Sequence, residues 1–175
     1  MKHGIVVQHG HNPERRSNFV RSDITAIIGF VSPNNWPEEY SKGDFIEVVL
    51  RREAELWAHP LHACFDEASK QGVRNYFING GVSLHLFAVC IESIDDLCSW
   101  DDLESSLGLL LERLRGEEDI SILTAPAAAY FPISFGKKNQ VVSDAETFYA
   151  FLLHHCMEMN NRFLILDPPM GLHGE

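Results

Sequence analysis

Four short apolar runs, separated by segments with helical periodicity, constrain the fold of this chain more than any other feature. The runs are residues 24–31 (ITAIIGFV), 84–91 (LHLFAVCI), 119–125 (DISILTA) and 162–166 (RFLIL). Because these runs are apolar at nearly every position, they indicate strands covered on both faces, as in a parallel sheet. Strands that alternate with helices build such a sheet through right-handed crossovers. The sequence therefore predicts an α/β fold with a mostly parallel sheet of about four or more strands, flanked by helices.

Three segments between these runs carry apolar residues at helical spacing, and they are expected to span residues 60–79, 101–116 and 143–160. Two glycines follow the first segment, where a left-handed backbone commonly ends a helix. The stretch 44–50 fits either a strand or the start of a helix. The residues expected on buried helix faces are Leu61, Cys64, Ala68, Val73, Phe77, Leu103, Leu107, Leu110, Leu111, Leu114, Phe148, Phe151, Leu152 and His155.

The length of 175 residues favours one compact domain, because a typical domain contains about 150 residues. Residues 1–22 are polar and irregular, and we expect them to form an N-terminal arm. Residues 23–175 are expected to form a single α/β domain.

The charge balance argues against several classes of partner. The chain contains 14 Lys and Arg residues against 25 Asp and Glu residues, which gives a formal net charge of −11. Such an acidic surface repels phosphate backbones and anionic lipids, so nucleic-acid and membrane binding are not expected. No apolar run approaches the about 20 residues of a membrane span, and the first residues lack a signal-peptide pattern. We therefore expect synthesis in the cytoplasm, with the four scattered cysteines reduced.

Ligand sites in open parallel sheets lie beyond the carboxyl ends of the strands, where this sequence places Ser32, Thr124 and Asp167. Neither a dinucleotide-binding glycine motif nor a phosphate-binding loop follows a strand, and no serine stands in a nucleophile-elbow motif. Asp167 at a strand end could hold a metal or orient a histidine, but we favour the interpretation that its carboxylate caps the following turn. A small cytoplasmic α/β enzyme or ligand-binding domain with a site at these strand ends is the alternative hypothesis for function.

The histidines and cysteines do not form a recognisable catalytic or metal-binding pattern. Adjacent histidines on a helix point in different directions, so one of His154 and His155 is expected to pack and the other to meet solvent. His59 and His62 are interpreted as surface residues, and Cys64 and Cys156 as buried, inert thiols on helices. His3, His9 and His11 lie in the polar arm, where adventitious metal binding is expected. We predict no catalytic, cofactor-binding or metal-binding residue and no cofactor.

Four separated pieces of the chain carry motifs that occur together in one known family. The pieces are residues 21–30 (RSDITAIIGF), 73–81 (VRNYFINGG) with the strand 84–89, 119–126 (DISILTAP), and 155–169, which ends in RFLILDPP. In this order they resemble the contractile tail sheath proteins of phages and phage-like injection particles. The resemblance covers roughly residues 20–170 and therefore the core domain of such proteins. Sheath proteins usually continue beyond the last piece, so the chain resembles a truncated or diverged member.

The resemblance implies a subtilisin-like α/β sandwich that is not a protease. It also implies a structural subunit that assembles with other copies of itself, or with sheath subunits, into a contractile helical tube around an inner tail tube protein. In such assemblies, terminal extensions add strands to the sheets of neighbouring subunits. The N-terminal arm is the segment suited to that role here. On this reading, the protein is assembled in the cytoplasm and resides in the tail of a virion or phage-like particle, and it is not an enzyme.

Overall fold

The computed structural model describes residues 24–31, 33–38, 40, 44–91, 100–130, 133–135 and 141–168. The predicted arm, residues 1–22, and Ser32 lie outside the described residues. Among the residues described, no helix is long and apolar enough to cross a membrane.

The elements alternate between strands and helices along the chain, as the apolar pattern predicts. The strands are β1 (Ile24–Val31), β2 (Phe45–Leu50), β3 (Leu84–Cys90), β4 (Ile120–Thr124), β5 (Ile133–Phe135), β6 (Val141–Ser143) and β7 (Phe163–Ile165). The helices are α1 (Glu53–Ala58), α2 (Glu67–Ile78), α3 (Trp100–Gly116) and α4 (Asp144–Met159).

Five strands form one sheet in the order β2-β3-β1-β4-β7. All neighbours in this sheet are parallel except β2, which runs antiparallel to β3. The prediction of a mostly parallel α/β sheet is confirmed, and residues 45–50, which the sequence left open, form an edge strand. The hairpin of β5 and β6 forms a separate antiparallel pair, which the sequence analysis missed.

The helices lie on both faces of the sheet. Residues of α3 and α4 pack in one apolar core, while residues of α1 and α2 pack in a second core on the opposite face. This division agrees with the strand order, because the connection from β1 to β3 crosses the sheet in one direction and the connections from β3 to β4 and from β4 to β7 cross it in the other. All eight residues of β1 are buried between the two cores, which confirms that this strand is covered on both sides.

The start of α2 is fixed by Asp66, so the prediction that this helix begins at residue 60 is wrong. Residues Pro60–Ala63 form a separate 3₁₀ turn, and the Asp66 carboxylate caps α2 by accepting the backbone N–H of Ser69 at 2.7 Å. The same carboxylate accepts the Ser69 hydroxyl at 2.7 Å and the backbone N–H of Phe30 at 3.2 Å. A side chain on Gly29 would lie only 2.8 Å from the Ser69 Oγ, which explains why glycine stands at this close contact of β1 with α2.

Replacement of Asp66 by alanine is expected to lower the free energy of unfolding by about 2 kcal/mol, because it removes a helix cap and leaves partly buried donors without an acceptor. Urea denaturation followed by circular dichroism measures this loss. The matched control is Glu67→Ala, which removes only an exposed ion pair with Lys70 and should change stability by less than about 0.5 kcal/mol. Equal losses in the two variants would contradict the role assigned to Asp66.

The predicted end of α2 at the two glycines is confirmed. Gly80 has a φ of 90°, a left-handed conformation that costs glycine little. A side chain on Gly81 would collide with the Tyr76 ring at 2.2 Å, and the Tyr76 hydroxyl donates a 2.6 Å hydrogen bond to the carbonyl of Ser83. The turn therefore holds the end of α2 against the start of β3.

Residues 162–166 were predicted to form a buried strand, and the prediction of burial is wrong. The strand is present as β7, but Phe163 is 76% exposed and Ile165 is 50% exposed. Only Leu164, between them, packs against the core that contains α3 and α4. The apolar run therefore contributes one side chain to the interior and presents two on the opposite face of the sheet.

Candidate functional site

A groove runs along one side of α2, over the surface of the sheet. Its volume is about 770 Å³. The floor is formed by Thr25 and Ile27 of β1, Ile122 and Thr124 of β4, and Ile165 of β7. One wall is α2, and the turn Pro126–Tyr130 closes one end. These boundaries arise because α2 lies above β1, while none of the described helices lies above β4 and β7 on this face.

The floor of the groove continues into an exposed apolar surface, which we call the β4–β7 face. It consists of Ile122, Phe163, Ile165 and Tyr130, of which all but Ile122 are exposed. The pairing of Ile122 with Phe163 and of Thr124 with Ile165 places these side chains on the face that carries α2. In parallel sheets both faces are normally covered by helices, whereas none of the described helices covers this apolar face.

The edge of the sheet beside this face also lies open within the described part of the chain. There β7 pairs with β4 on one side only, since it is the last strand in the sheet order. An unpaired edge presents backbone N–H and C=O groups that can bind another strand. The β4–β7 face and the β7 edge meet at one corner of the molecule, which we call the β7 corner.

The polar groups of the groove come from α2 and from the strand ends. The Gln71 side-chain amide donates to the Asn75 side chain at 2.7 Å. Thr124 and Asp167, two of the three residues predicted at strand ends, both line the groove, and burial raises the pKa of the Asp167 carboxyl. The predicted capping role of Asp167 involves residues after 168, which lie outside the described part of the chain.

Tyr149 connects two chain segments at the end of the groove that contains Thr124 and Asp167. Its hydroxyl donates to the carbonyl of Ala125 at 3.4 Å and accepts the backbone N–H of Asp167 at 3.3 Å. Burial raises the pKa of Tyr149 to about 12, so the phenol keeps its proton over the physiological range. Tyr149 therefore acts as a structural link between the end of β4 and the end of β7.

The predicted division between His154 and His155 is confirmed. His155 is 1% exposed and lies on the buried side of α4, while the exposed His154 lies 3.4 Å from the Glu158 carboxylate. The guanidinium of Arg162 donates to His155 Nε2 at 3.2 Å. Burial, reinforced by the charge of Arg162, lowers the pKa of His155 to about 4. His155 is therefore a neutral interior residue at neutral pH.

His59 and His62 have local roles. His59 Nδ1 accepts the backbone N–H of Leu61 at 3.2 Å, and the His62 ring contacts the Trp57 ring with centroids 5.6 Å apart. Both histidines are half-buried, so the interpretation of them as surface residues holds only in part. Among the described residues, no three His, Cys, Asp or Glu side chains form a group that could hold a metal ion. His3, His9 and His11 lie outside this part of the chain.

The two cysteines singled out from the sequence differ in their surroundings. Cys156 is buried on α4, as predicted, and burial raises the pKa of its thiol. Cys64 is only half-buried, and it follows the 3₁₀ turn Pro60–Ala63 instead of lying on a helix face. The prediction for Cys64 is therefore wrong in both respects.

A second cluster of charged groups lies away from the groove and was missed by the sequence analysis. The Glu47 carboxylate bonds to His85 Nδ1 at 2.6 Å and accepts the Arg113 guanidinium at 2.9 Å. These contacts join the edge strand β2 and its neighbour β3 to α3. The polar positions at 47 and 85 within otherwise apolar strands were the available signal.

Several residues of the four motif pieces named in the sequence analysis lie at packing positions of this fold. Gly29 allows α2 to approach β1, Gly80 and Gly81 end α2, and Arg162 bonds to the carbonyls of Leu114 and Glu117 at the end of α3. These residues position the strands and helices around the groove. No protein-family model matches the chain, and no curated protein is significantly similar to it.

Proposed function

We propose that this chain is a structural subunit similar to the core domain of a contractile tail sheath protein, which assembles with other subunits into a helical tube around an inner tail tube. The observation that carries the proposal is the β7 corner. An apolar sheet face meets a strand edge there that no described strand pairs with. A subunit that works by binding its neighbours needs such surfaces and a firm core, whereas an enzyme needs converging reactive groups.

The four motif pieces support the same proposal. They occur in the order seen in sheath proteins, and each contributes to the packing of the sheet with its helices. The predicted arm, residues 1–22, precedes β1 in the sequence, and in the proposed assembly it adds a strand to a neighbouring subunit. Contraction then requires that subunits move as nearly rigid bodies between two packed arrangements.

The groove favours the alternative of a ligand-binding or catalytic α/β domain. Thr124 and Asp167 line one concave site, and the pKa of Asp167 is raised. However, Thr25 and Ile27 place part of the floor on the first half of β1, whereas ligands of open α/β sheets bind beyond the strand ends. Chemical shifts of Thr124 and Asp167 that respond to a small metabolite, in an NMR screen, would support this alternative.

The test of the structural role uses particles from cells that carry the gene. Purified tail-like particles are analysed by mass spectrometry and electron microscopy, and we expect the chain in the same particles as the inner tail tube protein. A chain that lacks residues 1–22 is expected to be excluded from them, because the arm can no longer join a neighbour. If the full chain stays monomeric and outside particles when the tube protein is present, the proposal is overturned.

A further inference from the structure

A second concave site lies between α3 and α4, on the face of the sheet opposite the groove. Its volume is about 340 Å³, which is within the range of small-ligand pockets. The buried Leu111, Phe151 and His155 form its floor, and exposed side chains of both helices form its rim. We call this site the α3–α4 cleft. It shares no lining residue with the groove beside α2.

The floor of the α3–α4 cleft holds a hydrogen-bond donor that lacks an acceptor. An arginine side chain can only donate, so the 3.2 Å contact from Arg162 to His155 Nε2 makes that nitrogen the acceptor. The proton of the neutral His155 ring is therefore on Nδ1. This atom is buried, and it has no hydrogen-bond partner among the described residues. Because buried donors are nearly always paired, the N–H group indicates an acceptor that comes from a bound molecule.

Gly108 keeps the cleft open at the middle of α3. Glycine in the interior of a helix is less favourable than alanine, so its presence requires a reason. Close packing is not that reason, because a Cβ atom at Gly108 would meet no atom of another described element within 4 Å. Gly108 lines the cleft, and a larger side chain would occupy part of its space. The glycine therefore preserves an open volume between the two helices.

The rim of the cleft is acidic. Glu104, Glu112 and Glu158 line it with three carboxylates, against the single guanidinium of Arg115. Arg115 is paired with Glu158 at 3.1 Å, whereas Glu104 and Glu112 make no ion pair within the described part of the chain. Both are exposed, and they stand one helical turn before and one turn after Gly108. Unpaired carboxylates on both sides of a pocket favour a cationic ligand and disfavour an anionic one.

An aromatic ring completes the rim. The side chain of Trp100 is 41% exposed, and its ring contacts the rings of Phe151 and His154, with centroids 4.9 Å and 5.8 Å apart. With Leu111 and Phe151 on the floor, this ring offers an apolar surface to a ligand. The face of a tryptophan ring also attracts a cation.

The lining suits an organic cation better than a metal ion. Among the described residues, no three His, Cys, Asp or Glu side chains form a group that could hold a metal. The proton on His155 Nδ1 also prevents that nitrogen from coordinating one.

We propose that the α3–α4 cleft binds a small primary amine that has an apolar body and an uncharged hydrogen-bond acceptor, such as an amide oxygen. The ammonium group lies at the acidic rim, the apolar body contacts Trp100 and Phe151, and the oxygen accepts the N–H of His155. This binding site does not depend on the structural role proposed above.

Three matched compounds test the parts of the proposal. Leucinamide has the amine, the apolar body and the amide, whereas isoamylamine lacks the amide and isocaproamide lacks the amine. In NMR titrations of the isotope-labelled full chain, we expect leucinamide to bind with a dissociation constant of about 1 mM, a value suited to so small a compound. Each of the other two should bind at least about tenfold more weakly, because one polar interaction is lost. The nitrogen signal of His155 Nδ1 should shift with leucinamide and stay unchanged with isoamylamine.

Substitutions in α3 test the place of binding. Gly108→Leu fills the cleft and improves the helix propensity, so it should abolish leucinamide binding without lowering the melting temperature. The matched control is Gly116→Leu, at a glycine of the same helix that also has free space around it but does not line the cleft. It should bind as the unaltered chain does. The double variant Glu104→Gln with Glu112→Gln changes only exposed side chains and should weaken binding at least about tenfold.

The proposal is overturned if leucinamide shows no binding at tens of millimolar, or if isoamylamine or isocaproamide binds as tightly. It is also overturned if Gly108→Leu or the double glutamine variant binds normally, or if Gly116→Leu abolishes binding. A His155 Nδ1 signal that leucinamide leaves unchanged would mean that water alone accepts its proton, which also contradicts the proposal. Each of these results is independent of the particle experiment, so the ligand site and the sheath-like role can fail separately.

Discussion

Replacement of Arg162 by methionine is expected to lower the free energy of unfolding by about 3 kcal/mol, because a buried charge that makes several hydrogen bonds is lost. Arg162 is only 6% exposed. Its guanidinium donates to the carbonyls of Leu114 at 3.0 Å and Glu117 at 2.9 Å, and to the Asn161 side chain at 3.2 Å. The carbonyls at the end of a helix carry partial negative charge, so a cation suits this position.

A comparison of Arg162→Met with Arg162→Lys distinguishes the contribution of the hydrogen bonds of Arg162 to stability from the contribution of its charge. Arg162→Lys keeps the charge but cannot reach two carbonyls with one planar group, and an intermediate loss is expected. Arg115→Met removes an exposed ion pair with Glu158 at 3.1 Å and should cost less than about 0.5 kcal/mol. Urea denaturation at pH 7 measures all three. If Arg162→Met lowers the free energy of unfolding no more than Arg115→Met does, Arg162 does not join α3 to β7 as described.

The core of the fold could be predicted from local sequence because its signals are local. The burial of Leu103, Leu107 and Leu110 follows from their helical spacing, and the burial of β1 follows from its continuous apolar run. The start of α2 was predicted too early, because Leu61 and Cys64 extend the helical spacing to residues before Asp66. The contacts by which Asp66 caps the helix include the backbone of Phe30, which is distant in the sequence. Tertiary contacts, and not the apolar spacing, therefore determine where this helix begins.

The site was predicted only in part, for a related reason. Thr124 ends β4 and Asp167 closely follows β7, and the sheet brings both residues to one groove. The exposure of Phe163 and Ile165 depends instead on strand order, which decides that α3 and α4 share one face and leave the other open over β7. Strand order depends on contacts between distant parts of the chain. A run of five apolar residues carries no information about it.

The stability of the protein is expected to fall as the pH decreases from about 6.5 to about 4, and His155 is expected to cause much of this loss. The pKa of His155 is lowered to about 4 in the folded protein by burial and by the neighbouring charges of Arg162 and Arg115. Its value in the unfolded chain is near 6.5, so the unfolded state binds a proton first as the pH falls. Well above pH 6.5, the residue is neutral in both states and has no effect on stability.

The expected loss reaches about 3 kcal/mol near pH 4, because each pKa unit corresponds to about 1.4 kcal/mol. His155→Gln removes the titrating ring, so its stability should change less over this interval, whereas His154→Gln, at the exposed neighbour, should follow the unaltered protein. Arg162→Met should also reduce the dependence on pH, since it removes one of the charges that disfavour protonation. Urea denaturation at half-unit steps from pH 7 to pH 4 compares the four proteins. Parallel curves for the unaltered protein and His155→Gln would show that carboxylates elsewhere control acid stability, and that His155 is not the neutral interior residue described.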